Sequence, residues 1–272
     1  MYRADAVSLT LQGRAIVREV SLALDPGTVT VLVGPNGAGK SSLLKLMAGE
    51  VAPSHGRVHL DGTDLAHMPP AALARRRAVL PQSAEVAFAF RVAEVVSIGL
   101  LGTGARSGAR IARLLERVDL PGFATRGYDT LSGGERQRVQ LARALAQVEV
   151  MDPDKPRYLL LDEPTASLDL AHQLLVLREA RAHADAGGAV LAVLHDLNLA
   201  AMVADRMAVL VGGALLAYGP PESVITDDLL GAAFHVAARV NAVPPGPFVL
   251  PQAIADGAMG ALRPRAAGGA RR

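Results

Sequence analysis

Residues 34–41 have the types and spacing of side chains that bind phosphate groups. Their sequence, GPNGAGKS, matches the pattern G-x-x-x-x-G-K-[ST]. The glycines allow backbone N–H groups to converge on phosphate oxygens without Cβ clashes. In such a loop Lys40 bridges the β- and γ-phosphates of a nucleotide, and the Ser41 hydroxyl ligates Mg²⁺. The candidate phosphate-binding residues are Gly34, Pro35, Asn36, Gly37, Ala38, Gly39, Lys40, Ser41 and Ser42.

The segments on either side of this loop distinguish it from an ordinary glycine-rich turn with a lone lysine. Residues 29–33 are a nearly continuous apolar run, as expected of a strand buried on both faces of a parallel sheet. A helical pattern begins near Lys40, with apolar residues spaced for one buried face. The N-terminal end of that helix would add partial positive charge beside a bound anion. Strand, loop and helix together predict a nucleotide site.

A second apolar strand, residues 158–161, ends in two acids, Asp162 and Glu163. Such an ending often means only that a strand has reached solvent. A nucleotide site of this type, however, needs a carboxylate at the sheet edge, where Asp162 can hold Mg²⁺ through water. Glu163 is then placed to polarise an attacking water as a general base.

Residues 131–135, with the sequence LSGGE, precede a predicted helix over 136–147. A serine N-cap with a glutamate three residues later is a capping box. The box accounts for the serine and the glutamate but not for the paired glycines, whose exposed N–H groups at a helix N-terminus form a second anion site. The residues of this second site are Leu131, Ser132, Gly133, Gly134 and Glu135.

Hydrophobic periodicity predicts the elements that position these residues. One predicted helix begins near residue 40, and the others cover 92–100, 111–120, 136–147 and 170–184. The predicted strands are 6–11, 20–24, 29–33, 78–80, 158–161 and 189–194, with a hairpin over 206–218 that turns on Gly212 and Gly213. The strand, helix, strand order after residue 158 is a crossover unit of a parallel sheet.

These elements predict an α/β fold with a helical insertion in its middle. We expect a single domain over residues 1–256, with a core formed by 1–84 and 148–256 and a helical subdomain formed by 85–147. The low-complexity segment 257–272 is predicted to be a disordered tail.

Composition excludes several classes of function. Of the 272 residues, 50% are hydrophobic and 20% charged, which is typical of a soluble globular α/β protein. The absence of cysteine excludes disulfides, thiolate metal sites and a cysteine nucleophile. A net charge of +2 with scattered basic residues argues against a nucleic-acid partner. The N-terminus lacks the layout of a signal peptide, and no stretch approaches the ~18 apolar residues of a membrane span.

The motifs, in this order, resemble those of the ATP-binding cassette (ABC) family, whose signature is the LSGGE run. The resemblance covers about residues 7–226 and implies a P-loop NTPase cassette with an N-terminal antiparallel β subdomain, a mostly parallel core sheet, and ATP and Mg²⁺ as ligands. It implies that Gln82 is the Q-loop glutamine, which contacts Mg²⁺ and senses the membrane domain. His195 is similar to the switch histidine that contacts the γ-phosphate. The D-loop of the family corresponds to Ser167, Leu168 and Asp169.

The resemblance also implies partners. In this family two cassettes stack head to tail, and each ATP lies between the P-loop of one chain and the signature of the other. We therefore expect a homodimer bound to two transmembrane permease subunits at the cytoplasmic face of the bacterial inner membrane. A periplasmic substrate-binding protein would act through the permease. Residues 83–91, after the Q-loop glutamine, are the expected permease contact.

Further segments narrow the resemblance to one branch. Residues 194–201 (LHDLNLAA) with 204–206 resemble importers of iron siderophores, cobalamin and haem. The run 169–173 (DLAHQ), the polar insert 151–156 and the segment 247–251 (PFVLP) are similar to haem importer ATPases of Gram-negative bacteria. The resemblance implies ATP hydrolysis coupled to haem uptake, with a ferric siderophore or cobalamin as the alternative substrate. The seven histidines are not expected to ligate haem, because this subunit should not meet the substrate.

Two departures from the family pattern concern the nucleotide. Many cassettes stack adenine on an aromatic residue near the second strand, but the matching stretch 9–14 has none, so adenine is expected on Leu11, on Val17 or under Arg14. Ser42 stands where threonine is usual.

Two other classes of function stay open at this point. A cytoplasmic ABC protein acting on ribosomes or DNA would normally have two cassettes or a long coiled coil, and this chain has room for neither. A regulatory module without catalysis is disfavoured by the presence of Lys40, Glu163 and His195.

Overall fold

The computed structural model describes residues 1–83, 90–101, 107–149 and 155–251. The predicted tail at 257–272, most of the polar insert at 151–156, and residues 84–89 of the expected permease contact lie outside the described residues.

Ten strands and nine α-helices occur in the described ranges. The strands are β1 (Tyr2–Leu11), β2 (Arg14–Leu24), β3 (Val29–Val33), β4 (His55–Leu60), β5 (Thr63–Asp64), β6 (Arg77–Leu80), β7 (Tyr158–Asp162), β8 (Ala189–Val193), β9 (Arg206–Val211) and β10 (Ala214–Gly219). The helices are α1 (Lys40–Ala48), α2 (Pro70–Ala74), α3 (Val92–Gly99), α4 (Gly108–Arg117), α5 (Gly133–Val148), α6 (Leu170–Asp185), α7 (Leu197–Val203), α8 (Pro221–Val224) and α9 (Asp227–Phe234).

Strands β1, β2, β4 and β5 form an antiparallel sheet in the order β2-β1-β4-β5, which confirms the expected N-terminal antiparallel layer. Strand β1 begins at Tyr2, four residues before the predicted start, because Tyr2 and Ala4 continue the inward alternation while Arg3 points outward. The register shifts after Ala4, where Ala6 adopts a φ of 46°. Strands β4 and β5 were not predicted.

The core sheet has six strands in the order β10-β9-β3-β8-β7-β6, all parallel except β10. Every residue of β3, β7 and β8 is buried, as the continuous apolar runs predicted. The parallel strands end at one edge of the sheet, so the loops after β3, β6, β7 and β8 open there. All the expected catalytic residues outside the LSGGE run follow one of these four strands.

Helix α5 packs against β6 and β7 of the core sheet, and α3 and α4 pack on α5. All three helices belong to one hydrophobic cluster with the core sheet. The closest approach is between α3 and α5, where a Cβ at Gly99 would lie 2.1 Å from the Arg143 carbonyl oxygen. The Arg143 guanidinium in turn donates to the Val79 carbonyl of β6 over 3.0 Å. The helix that follows the LSGGE run is therefore fixed to the sheet by side-chain and backbone contacts. Among the described helices, none is long and apolar enough to cross a membrane.

Candidate nucleotide-binding and hydrolysis site

The loop between β3 and α1 forms one wall of a cleft of about 370 Å³. Residues 36–42 line this wall, and Glu163 and Gly212 lie at its margins. The cleft is also lined by Arg14, Ala15 and Ile16, at the start of β2. The cleft is therefore bounded by both sheets of the molecule.

Two glycines of the loop are required by close backbone approach. Gly39 caps α1 with a φ of 97°, and a Cβ there would lie 2.6 Å from the Ile16 carbonyl oxygen. A Cβ at Gly34 would lie 2.1 Å from the carbonyl oxygen of Leu210 in β9. Any larger residue at either position would move the loop away from β2 or β9.

The Lys40 side chain is buried within the curve of the loop. Its ammonium donates to the carbonyl oxygens of Gly34 at 2.8 Å and Pro35 at 2.9 Å. Burial lowers the pKa of Lys40, while the nearby Glu163 and Asp162 carboxylates raise it. The cation is therefore held at the position where phosphate groups in the cleft would meet it.

The first residue of α1 after the lysine contacts the end of β7. The Ser41 hydroxyl donates to Asp162 Oδ1 over 2.8 Å, and Asp162 is buried at the last position of its strand. Burial raises the pKa of Asp162, and the hydrogen bond from Ser41 lowers it. A hydroxyl and a carboxylate are oxygen ligands of the kind that Mg²⁺ prefers.

This pair does not form a complete metal site by itself. In the described ranges no cluster of three or more histidine, aspartate or glutamate side chains could hold a metal ion. A cation between Ser41 and Asp162 would therefore complete its shell with water and phosphate oxygens, which is how Mg²⁺ is commonly bound beside nucleotides. The residues present fit that mode of binding.

Three side chains converge on Glu163. Gln82 Nε2 donates to Glu163 Oε2 over 2.8 Å, and His195 Nε2 lies 2.8 Å from Oε1. Gln137 of α5 donates to the Glu163 carbonyl oxygen over 3.2 Å. The residue itself has a φ of 52°, a left-handed conformation that costs energy for a side chain of this kind. The surrounding contacts therefore determine where the carboxylate lies.

One residue of the LSGGE run, Gly133, lines a different cleft, of about 210 Å³. Gln137, Gln82 and Ser167 are among its other lining residues, and none of the residues lining it lines the cleft of Lys40. Leu131 is buried. No residue of the LSGGE run lines the cleft of Lys40, so that cleft is formed without it.

The predicted capping box is present at the start of α5. The Ser132 hydroxyl accepts from the Glu135 N–H over 3.2 Å, and Glu135 Oε2 accepts from the Ser132 N–H over 2.7 Å. Hydrogen bonds to the Glu135 carboxylate from the backbone and side chain of Ser132 lower the pKa of Glu135. A Cβ at Gly134 would lie 3.2 Å from the Leu168 side chain, so this turn also contacts the segment before α6.

Comparison with known proteins decides the family. A model described as "ABC transporter" matches residues 17–166. This chain belongs to the ABC transporter family. A protein of Rhizobium meliloti named "Hemin import ATP-binding protein HmuV" is 48% identical over 258 residues, covering 93% of this chain and 98% of that protein. A protein of the same name from Mesorhizobium japonicum is 51% identical over 261 residues, with the same coverage.

Solved structures agree on the fold of the cassette. The structure of an ATP-binding subunit of an ABC transporter superposes with a TM-score of 0.74 at 23% identity, covering 86% of this chain and 96% of that one. A dimeric bacterial cassette, MJ0796, gives a TM-score of 0.71 at 25% identity and covers 81% and 99%. The predictions of the family, of the cassette fold and of an ABC-type ATPase are confirmed.

Sequence reasoning missed several residues that form the cassette's clefts. Arg14 lines the cleft as expected, but Val17 is fully buried, and Ala15 and Ile16 are the other residues of β2 that line it. The contact of Gln137 with Glu163 was also not predicted. No local signal indicates either contact, because β2 and α5 lie far in sequence from the residues that they meet.

Proposed function

We propose that this cassette is the ATP-hydrolysing subunit of an importer that couples ATP hydrolysis to haem uptake across the bacterial inner membrane. The observation that carries the ATPase assignment is the convergence of Lys40, Ser41, Asp162 and Glu163 beside one cleft. The haem assignment rests on relatives named for hemin import, which are 46–51% identical over 86–93% of the chain.

ATP binds with its phosphates on the loop of residues 34–42. The loop N–H groups and the Lys40 ammonium replace the hydration of the β- and γ-phosphates. The base extends toward Arg14 and Ile16, which also line the cleft. A guanidinium can stack on any base, so these residues hold adenine without an aromatic side chain.

Hydrolysis depends on the position of Glu163, which accepts a proton from the attacking water as general base. Gln82 and His195 contact its two carboxylate oxygens in the structure. In the proposed mechanism both side chains contact the γ-phosphate or the water once ATP is bound. Ser41, Asp162 and Gln82 would hold Mg²⁺, which supplies positive charge against the phosphate oxygens. Catalysis is positioning and charge stabilisation, with little covalent work for the protein.

The active unit is a homodimer. None of the LSGGE run, Leu131 to Glu135, lines the cleft of Lys40, and its Gly133 lines a separate cleft, so an ATP that contacts both segments would lie between two chains. An arrangement in which each chain gives both surfaces is isologous and closes as a dimer. Ser167 and Leu168 lie beside Gly134, and together with Asp169 they would face the partner.

The dimer works with membrane partners. Two transmembrane permease subunits bind it at the cytoplasmic face of the inner membrane, and a periplasmic substrate-binding protein delivers haem to the permease. Within a single domain over 1–256, the helical subdomain at 85–147 transmits the closure of the dimer, and residues 83–91 contact the permease. This part of the proposal is supported by the family and by the dimeric relative.

The ATPase assignment is tested by steady-state hydrolysis by the purified subunit, with Lys40→Ala as the control. We expect turnover in the unmodified chain and almost none in the variant, because the lysine contacts the reacting phosphates. Turnover that does not depend on Lys40 would remove the enzyme assignment.

The substrate is tested in the complex reconstituted with its permease and binding protein. We expect haem to stimulate ATP hydrolysis, while a ferric siderophore and cobalamin leave the rate unchanged. Stimulation by one of the other two compounds and not by haem would reassign the importer within the same branch and leave the ATPase assignment intact.

A further inference from the structure

We propose that His172 is a positioning residue that joins the D-loop segment, defined here as residues 163–169, to the helix bearing the LSGGE run. This inference rests on the proposed function, because the segment that it fixes begins with the proposed general base, Glu163. His172 lies in the first turn of α6, outside the loop of Lys40 and outside the residues that converge on Glu163.

The two ring nitrogens of His172 contact two different carboxylates. Nδ1 lies 2.8 Å from Asp169 Oδ1, the carboxylate that also caps α6 by accepting from the His172 N–H. Nε2 lies 3.2 Å from Oδ2 of Asp119, a residue in the turn after α4. The ring therefore spans from the end of the D-loop segment to the helical part of the cassette.

Both partners of the ring are carboxylates, whose oxygens accept hydrogen bonds. A ring nitrogen that carries a hydrogen can therefore donate to the carboxylate beside it. The hydrogen bond from the backbone N–H of His172, and then that from its ring, lower the pKa of Asp169, so this partner is ionised at neutral pH.

The second carboxylate is connected to α5. Arg138, a largely buried residue of that helix, donates to the Asp119 carbonyl oxygen over 2.8 Å and approaches Asp119 Oδ2 at 3.4 Å. It also donates to the carbonyl of Val118 over 3.2 Å. Asp119 has a φ of 56°, so its backbone is held in an uncommon conformation by these contacts. His172, Asp119 and Arg138 thus form a continuous link from α6 to α5.

The D-loop segment is held by α5 at its other end as well. Gln137 donates to the carbonyl oxygen of Glu163, and the Leu168 side chain packs at the position of Gly134. Ser167 has a φ of 61°, so the segment contains two left-handed residues that only its surroundings can stabilise. His172 supplies the contact that fixes the end of this segment, and through it the direction in which Glu163 points.

The test is the ATPase rate of His172→Ala at saturating ATP, compared with that of His67→Ala, which removes an exposed histidine from another part of the cassette. We expect kcat to fall roughly tenfold in the first variant, because a small displacement of a catalytic group has an effect of this size or larger. The KM for ATP should change less than about twofold, since the loop of Lys40 is untouched. The control should match the unmodified chain.

Two isosteric variants separate the contacts. The amide nitrogen of His172→Gln lies near the Nε2 position and can still donate to Asp119, whereas that of His172→Asn lies near Nδ1 and can donate only to Asp169. We expect glutamine to restore most of the rate and asparagine to restore little. In a double-variant cycle, Asp119→Asn should lower the rate by itself and add almost nothing to His172→Ala. These variants also decide the question if the alanine variant does not fold.

The inference is overturned if His172→Ala keeps the ATPase rate of the control, or if His172→Gln and His172→Asn restore the rate equally. It is also overturned if the rate losses of Asp119→Asn and His172→Ala multiply in the double variant. If the unmodified chain shows no Lys40-dependent hydrolysis, the proposed function fails, and this inference fails with it. Normal hydrolysis by both the unmodified chain and His172→Ala overturns the inference alone.

Discussion

Individual side chains determine the chemistry of this cassette through their partners. Both carboxylate oxygens of Glu163 are occupied, one by Gln82 and the other by His195, and its backbone carbonyl accepts from Gln137. Residues from three separate parts of the chain therefore fix the position of Glu163. A group held in this way loses little entropy when it orients a water, which is the condition for efficient general-base catalysis.

At this scale we predict that Glu163→Gln lowers kcat by about 10² to 10⁴, the usual contribution of a general base. ATP binding should survive, because Lys40 and its loop are unchanged, and the bound nucleotide should stabilise the dimer. Radiolabelled ATP binding and size-exclusion chromatography measure these two properties. A variant that hydrolyses normally, or that stays monomeric in saturating ATP, would show that the base is another group.

The helix α5 joins the two halves of the site at the scale of an element. Its N-terminus carries the capping box of Ser132 and Glu135, its middle contacts Glu163 through Gln137, and its later turns pack on α3 and β6. Because an α-helix is stiff over these 16 residues, a displacement at one end is transmitted to the other.

The capping box should respond to acid. The folded-state pKa of Glu135 is lowered by its hydrogen bonds with Ser132, so its contribution to stability is present above the ordinary pKa and is lost as the pH falls through the folded value. Glu135→Gln keeps the capping geometry without a titrating group. We expect the unmodified chain to melt at a higher temperature than the variant above the ordinary pKa of Glu135. In acid this difference should shrink or reverse. An unchanging difference between the two across this range would contradict the assignment.

The contact between α3 and α5 should be sensitive to one methyl group. Gly99→Ala places a Cβ 2.1 Å from the Arg143 carbonyl oxygen, so the helices must separate, at a cost of about 1–3 kcal/mol for overpacking. Gly108→Ala, in the first turn of α4, meets nothing within 4 Å and serves as the matched control. Urea unfolding of the two variants measures the difference, and equal stabilities would mean that the helices are not this close.

A single chain is not a complete catalyst if its two clefts contact different ATP molecules. One cleft contains Lys40 and Glu163, and the other contains Gly133 and Ser167, with no residue common to their linings. The dimeric cassette with a TM-score of 0.71 shows that a chain of this fold can associate in pairs. Dimerisation would then be part of catalysis and not only of assembly.

Mixing two inactive variants tests this arrangement. Lys40→Ala removes the phosphate-binding lysine, and Ser132→Arg blocks the second phosphate site. A mixed dimer has one site with neither defect, so an equal mixture should recover about a quarter of the unmodified rate if chains exchange freely and sites act independently. Each variant alone should be nearly inactive. No recovery in a mixture shown to contain mixed dimers would mean that each chain completes its own site.

The sequence by itself determined the features that depend on neighbouring residues. The loop of residues 34–42, the capping box at Ser132 and the buried runs of β3, β7 and β8 follow from spacing and polarity within single segments, and the structure has them in place. The family and the fold were predictable for the same reason, because the motifs keep their order along the chain and the strands alternate with helices.

Only the tertiary structure decided which of these residues meet. Gln82 reaches Glu163 across 81 positions of sequence, and Gln137 reaches it across 26, because parallel strands bring their ends to one edge and α5 crosses that edge. The same is true of Ile16 at the cleft, of the unpredicted β4, and of the link from His172 through Asp119 to Arg138. Contacts of this kind depend on the packing of elements that are distant in sequence. The local sequence of one element does not indicate which other element will pack beside it.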